Sequence, residues 1–191
     1  MNYRVLELKD LPIYRHDIKK CYDCNRLIFD MQYPCTIESV DDYCNYMAGF
    51  INRPDCIVFG IFDDSNKYLY GIIIYENIRT ADSTTAQCHI ALDKAIYGKA
   101  SRYIFKQLQR YGIADTLYCI IPQIATKAIA LVKRLGFKKT GYIPKASAYK
   151  NKLGELKLYD ENIFVFERTD ATFIYNEPDE GYVQDKDLYQ R

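Results

Sequence analysis

Thr84–Phe137 reads TTAQCHIALDKAIYGKASRYIFKQLQRYGIADTLYCIIPQIATKAIALVKRLGF, and the order of its segments decides the fold. Thr84–Leu92 (TTAQCHIAL) reads as a strand. DKAIYGKA (93–100) is a turn with one glycine, and SRYIFKQLQRYG (101–112) is a helix. A short strand follows in TLYCII (116–121), then a helix in ATKAIALVKRL (125–135), closed by Gly136 and Phe137. A strand that feeds a helix and returns as a strand is a crossover unit with parallel strands. Its first strand-to-helix turn presents backbone N–H groups and a helix N-terminus, the arrangement that suits a phosphate-bearing ligand.

Upstream, Tyr3–Leu8 (YRVLEL) alternates as an opening strand. Asp10 is placed to cap a helix carrying Leu11–Pro12 at its start, with Ile13, Ile18, Cys21 and Ile28 along an apolar side. Pro34 breaks the chain, and Thr36–Ser39 leads into a second helix over Val40–Ile51, with Tyr43, Met47 and Phe50 on one face. Arg53–Pro54–Asp55 ends it. CIVFGIF (56–62) and YLYGIIIYENI (68–78) are paired strands around a polar turn, apolar enough to be covered on both faces. Downstream, KKTGYIP (138–144) and KLYDENIFVFER (157–168) are strands. In the second, Ile163 and Val165 share one face and Phe164 and Phe166 the other, so both faces call for cover. The order is β, α, α, three strands, α, β, α, β, β.

At 191 residues and 49% hydrophobic content, the chain suits one core. Twenty-six basic residues balance 25 acidic ones, a net +1 that calls for neither nucleic acid nor an anionic membrane as partner. No apolar run reaches the roughly 20 residues of a membrane span, and MNYRVLELKD lacks a signal-peptide core. The expectation is a soluble, cytoplasmic protein. Seven cysteines, an odd count lying in apolar segments, suit reduced and buried thiols. Cys21 and Cys24 form one CxxC with Cys35 and Cys44 downstream. The later pair is not a second knuckle, so core packing is preferred to zinc and no metal is expected. The 19 tyrosines are spread through every element, as half-buried sheet and helix residues rather than a stacking platform.

The element order, joined to AIALVKRLGF (Ala128–Phe137), resembles the GNAT N-acetyltransferase superfamily from about Tyr3 to Arg168. Ala128, Leu131, Gly136 and Phe137 match that family's helix-end pattern A-x-x-L-Y-x-x-x-G-F. Physically, Gly136 suits a left-handed C′ position with Phe137 opening the next strand. The resemblance implies an α/β (α+β) architecture: a mixed, mostly antiparallel central sheet flanked by helices and splayed between its fourth and fifth strands. Acetyl-CoA, the implied co-substrate, lies in that splay, and an amine is the acceptor. Aligned without gaps from Leu92, the family's Arg/Gln-x-x-Gly-x-Gly/Ala turn falls on Tyr97, Gly98, Lys99, Ala100 and Ser101, with Arg102 where the pattern has a small residue. A shifted register puts Gly98 and Ala100 on Gly-x-Ala and Ala95 in place of the Arg/Gln. Leu92, Tyr97, Gly98, Lys99, Ala100 and Ser101 are the implied cofactor-binding residues. The family's tyrosine acid corresponds to Val132, which cannot donate a proton, and its asparagine to Ala125.

Acyl transfer to an amine needs a base and a donor to the developing oxyanion. On the strand that the resemblance places beside the thioester, His89 has the chemistry of a base near neutral pH. Asp93, ending that strand, and Glu76, ending the preceding one, are the other candidates. The competing readings are a packed, hydrogen-bonded histidine and solvated strand-end carboxylates. Asp41 and Asp42 suit a cationic acceptor or simply a solvated helix surface. Lys127, Lys133, Arg134, Lys138, Lys139, Lys145, Lys150, Lys152 and Lys157 suit the 3′-phosphate of CoA, an acidic partner, or edge protection.

Residues 1–169 form the domain, and 170–191 an acidic, aromatic-containing extension. Its six acids against Lys186 and Arg191 leave −4 there and +5 on the rest. Phe173, Tyr175, Tyr182 and Tyr189 make it an extension that docks, on its own domain, in a homo-oligomer or in a larger assembly. Two functions stand: an N-acetyltransferase, or a GNAT-fold protein without catalysis serving in assembly. The Lys/Asn/Ile/Tyr-rich usage resembles phage-encoded proteins, which would make the second a virion or head-assembly role in the host cytoplasm.

Overall fold

Seven strands form one sheet in the order β1-β2-β3-β4-β5-β7-β6. They are β1 (Asn2–Val5), β2 (Ile57–Phe62), β3 (Leu69–Thr80), β4 (Thr84–Leu92), β5 (Thr116–Pro122), β6 (Lys138–Lys150) and β7 (Leu156–Glu167). Among the described residues the helices are α1 (Leu11–Asp23), α2 (Val40–Ile51) and α3 (Thr126–Arg134). This computed structural model describes residues 1–24, 37–96, 103–104, 113–150 and 155–168. The expected helix at 101–112 lies outside them but for Tyr103 and Ile104, as do Ile28, Pro34, Cys35, Lys152 and the extension 170–191.

Every strand pair is antiparallel except β4–β5, the parallel pair that the crossover requires. That ladder spans only Thr85–Thr116, Ala86–Leu117 and Gln87–Tyr118. Beyond it, β4 pairs with β3 as far as Leu92, and β5 pairs with β7 as far as Pro122. The sheet therefore opens between its fourth and fifth strands, toward their C-terminal ends.

Two cores lie on opposite faces. Leu11, Ile18, Cys21, Tyr43, Met47 and Phe50 of α1 and α2 cover Val58, Ile72, Ile74 and Ala91. Val132 and Leu135 join Phe59, Ile73, Tyr75, Cys88, Leu117, Cys119, Phe164 and Phe166 on the other face. Strand alternation makes the division: Ile74 sits opposite His89 on the first face, and Tyr75 opposite Cys88 on the second. Of the described cysteines, Cys21, Cys56, Cys88 and Cys119 are buried, and burial pushes the Cys119 thiol up to about 12.

Local chemistry explains the element ends. Ser39 caps α2 by accepting from the Asp42 amide (3.1 Å), and Asp42 returns the bond to the Ser39 amide (3.0 Å), a reciprocal capping box. At the end of α3, Gly136 has φ 91°; its N–H donates to the Lys133 carbonyl and that of Phe137 to the Val132 carbonyl, both 3.0 Å. These are the two bonds of a Schellman motif.

Two expectations for the first helix change. Asp10 makes no side-chain cap on α1; its carboxylate accepts from the Glu7 amide (2.9 Å) and from both Arg4 guanidinium ends (2.7 and 2.9 Å). The strand stops at Val5, and a 3-10 turn over Leu8–Asp10 takes up the rest. Ile13 is 69% exposed, because the buried side of α1 runs through Leu11, Tyr14, Ile18, Cys21 and Tyr22. Polar bonds fix that helix on the sheet: the Tyr14 hydroxyl donates to the Asn66 carbonyl (2.6 Å), and Asp17 accepts the Leu69 amide (3.0 Å).

Candidate active site

Glu76 and His89 meet at the root of the β4–β5 opening. Glu76 lies within β3, not at its end as the sequence suggested, and opposite Gln87. It is also not solvated: the residue is 8% exposed. Its Oε1 lies 2.5 Å from His89 Nε2, and its Oε2 accepts from Arg53 Nη1 at 2.7 Å. The His89 bond, aided by the Arg53 guanidinium, holds the Glu76 carboxyl below its usual value against the opposing effect of burial.

The ionised Glu76 fixes the imidazole. Gln87 also approaches Nε2, at 3.1 Å, but a 2.5 Å contact to a carboxylate is the stronger bond. Nε2 therefore carries the proton and donates it to Glu76. In the neutral ring the lone pair is then on Nδ1, which has no hydrogen-bond partner among the described residues. A neutral imidazole with a free nitrogen, oriented by a carboxylate on the other, is the arrangement of a general base.

Around this pair stands a ring of side chains that the sequence reading did not gather. Arg53 holds Asp55 in a fork (Nε–Oδ1 3.1 Å, Nη2–Oδ2 2.9 Å) and also reaches Asn77 Oδ1 at 3.2 Å. Asn77 has φ 52° at an irregularity in the β3–β4 register. Asparagine tolerates this left-handed conformation better than most residues. Tyr118, the residue opposite Gln87 on β5, is half-buried on the same face as His89. An asparagine and a glutamate within an otherwise apolar strand were the available signal.

Asp93 is not part of this group. It sits four residues beyond His89, roughly 13 Å along the strand. Its carboxylate is 2.5 Å from Lys20 Nζ on α1 and accepts the Ala95 amide at 3.0 Å, opening the 3-10 turn Lys94–Ile96. Burial opposes its ionisation, but the Lys20 bond and the Ala95 amide more than offset it and lower the pKa. Asp93 is 3% exposed, so the solvated strand-end reading fails here too. Leu92 is buried in the core on the α3 face. Tyr97, Gly98, Lys99, Ala100 and Ser101 lie outside the described residues. Val132 and Ala125 are both buried and apolar. Asp42 is engaged in the α2 cap, while Lys127, Lys133, Lys138, Lys139, Lys145 and Lys157 are exposed. Among the described residues no group of His, Cys, Asp and Glu is arranged to hold a metal ion, and no helix is long and apolar enough to cross a membrane.

No protein-family model matches this chain, and no curated protein sequence matches it. Solved structures do. The spermidine N-acetyltransferase of Vibrio cholerae, in complex with CoA and spermine, superposes with a TM-score of 0.64 at 17% identity, over 90% of this chain and 97% of that one. A ribosomal L7/L12 alpha-N-protein acetyltransferase in complex with coenzyme A gives 0.65 at 16% identity, over 86% and 92%. Likeness at such identity lies in the fold, and it extends over nearly the whole of both chains. With the mixed seven-stranded sheet and its opening between β4 and β5, this divergent chain has the fold of the GNAT N-acetyltransferases.

Proposed function

We propose that this protein is an acyltransferase that moves an acyl group, acetyl in the first instance, from acyl-coenzyme A to an amine. The observation that carries this reading is the Glu76–His89 pair, with a free Nδ1, beside the point where β4 and β5 part. His89 Nδ1 takes a proton from the acceptor ammonium. The freed amine attacks the thioester carbonyl; the carbon–nitrogen bond forms, the carbon–sulfur bond breaks, and CoA leaves as a thiolate. The second amine proton goes to the thiolate, giving an amide and free CoA, and His89 returns its proton to water. Tyr118, on the β5 wall, is a phenol suited to relay the second amine proton, giving its own to the thiolate and taking the amine's, in place of the family tyrosine. For the cofactor we propose Leu92, Tyr97, Gly98, Lys99, Ala100 and Ser101, the residues that the family resemblance implies.

The test is calorimetric titration of the protein with acetyl-CoA, with Gly98→Trp as control, followed by an acceptor screen that begins with spermidine, spermine and peptide α-amines. Saturable binding lost in Gly98→Trp, with free thiol released on adding an acceptor, supports the reading. A folded protein that binds neither acetyl-CoA nor CoA overturns it.

A further inference from the structure

We infer that Arg53 is the positioning residue of the base: acting through Glu76, it holds His89 in the tautomer whose Nδ1 is free. The inference rests on the proposed function for its kinetic consequence and on the geometry alone for the rest.

The two Glu76 oxygens divide their work. Oε1 takes the His89 proton donor and Oε2 takes Arg53 Nη1. Because the carboxylate is buried, losing the Arg53 bond would leave Oε2 with no protein donor among the described residues. A buried carboxylate in that state rotates toward another donor or takes up a proton. Either change removes the fixed acceptor that selects the Nε2–H tautomer.

Arg53 is itself held on three sides. Its Nε–Nη2 edge is locked on Asp55, two residues along a turn whose middle residue is Pro54. Pro54 fixes one backbone angle of that turn. The Asp55 carbonyl accepts the Ile78 amide at 3.0 Å, joining the turn to β3 just past Glu76. Arg53 Nη2 reaches Asn77, whose left-handed backbone sets the strand irregularity there. The planar five-donor guanidinium serves Asp55, Asn77 and Glu76 together, which the single ammonium of lysine does not.

Charge balance fits the same role. Asp55, Glu76 and Arg53 carry one net negative charge while His89 is neutral, and the cluster is neutral once His89 is protonated. The imidazolium formed in the reaction is thus compensated, and Arg53 stays charged throughout.

The test compares wild type, Arg53→Met, Arg53→Gln and Arg53→Lys, each with His16→Gln so that His89 is the single imidazole. Long-range proton–nitrogen NMR at neutral pH reports which ring nitrogen carries the proton. Wild type is expected to show one Nε2–H tautomer, Arg53→Met a mixture, and Arg53→Lys an intermediate pattern. With the acceptor found above, kcat falls about ten- to a hundred-fold in Arg53→Met, with KM for acetyl-CoA unchanged and partial recovery in Arg53→Lys. Arg53→Gln gives the same comparison if the Met variant does not fold. A single wild-type tautomer in Arg53→Met or Arg53→Gln overturns the inference, as does an unchanged kcat. If no acceptor turns over in any variant, the proposed function fails while the tautomer comparison still decides the role of Arg53.

Discussion

Glu76 and His89 meet diagonally across the β3–β4 ladder: the residue opposite His89 is Ile74, and the residue opposite Glu76 is Gln87, yet Oε1 and Nε2 are 2.5 Å apart. Diagonal neighbours on one sheet face lie within reach of long side chains. In the proposed mechanism this contact selects the tautomer in which His89 acts as the base. His89→Ala is expected to lower kcat/KM on the order of 10²–10⁴-fold. Glu76→Gln, which keeps shape but not charge, should cost at least about tenfold. Steady-state assay of proteins with matched thermal unfolding curves checks both, and a His89→Ala variant of full activity would remove His89 from the mechanism.

Asp10 makes the fold sensitive to acid. Burial opposes its charge, but the Arg4 fork and the Glu7 amide win and hold its pKa below the ordinary value. A carboxyl that titrates lower in the folded chain adds stability fully present above its unfolded pKa, near 4, and lost as pH falls through the folded value. Acidification from neutrality through that range should therefore lower Tm more in wild type than in Asp10→Asn. At pH 7 the variant should be about 1–2 kcal/mol less stable, a sum limited by the partial exposure of Arg4. Parallel Tm curves for the two proteins decide the matter.

Gly136→Ala should cost about 1–2 kcal/mol, because φ 91° is outside what a side chain accepts without strain. For a chain of this length the expected fall in Tm is about 2–8 °C. An unchanged Tm would show that the α3 end relaxes to another cap.

Gly60→Ala tests packing instead of backbone angle. A Cβ there would stand 2.5 Å from the Phe62 ring and 2.9 Å from Leu69 Cδ1. The ring has nowhere to go: it is fully buried, with Tyr14 at 5.0 Å between centroids and the Arg4 guanidinium 4.3 Å above it. Chemical denaturation should show a loss of about 1–3 kcal/mol.

The fold was legible where a signal is local. The α2 helix could be read from Ser39 and its spacing of Tyr43, Met47 and Phe50, because caps and helical periods live within a few residues. The β4–β5 crossover could be read from apolar strands on either side of a helical segment. His89 and Glu76 were each visible as candidates, but their union was not. Arg53, Asp55, Asn77 and Glu76 come together only because β3 is irregular after Glu76 and the turn after α2 docks there. Asp10 was misread for a related reason: its nearest strong donor is Arg4, a pairing that its fit as a helix cap conceals.

The three-pair ladder between β4 and β5 has a consequence for how the molecule breathes. Among the described residues, strands β1–β4 are sandwiched between two cores, whereas β5, β7 and β6 join them through that ladder, the bonds of Asp115 to Thr84, and the core that includes Leu117, Phe164 and Phe166. Cooperative units that share few contacts separate at lower free energy than either melts. Amide hydrogen exchange should accordingly divide the sheet at Gln87 and Tyr118: Ile72–Tyr75 exchange only on global unfolding, and the β5–β7–β6 amides exchange together, earlier. A ligand bridging both strands would then declare itself by slowing the second group to the rate of the first.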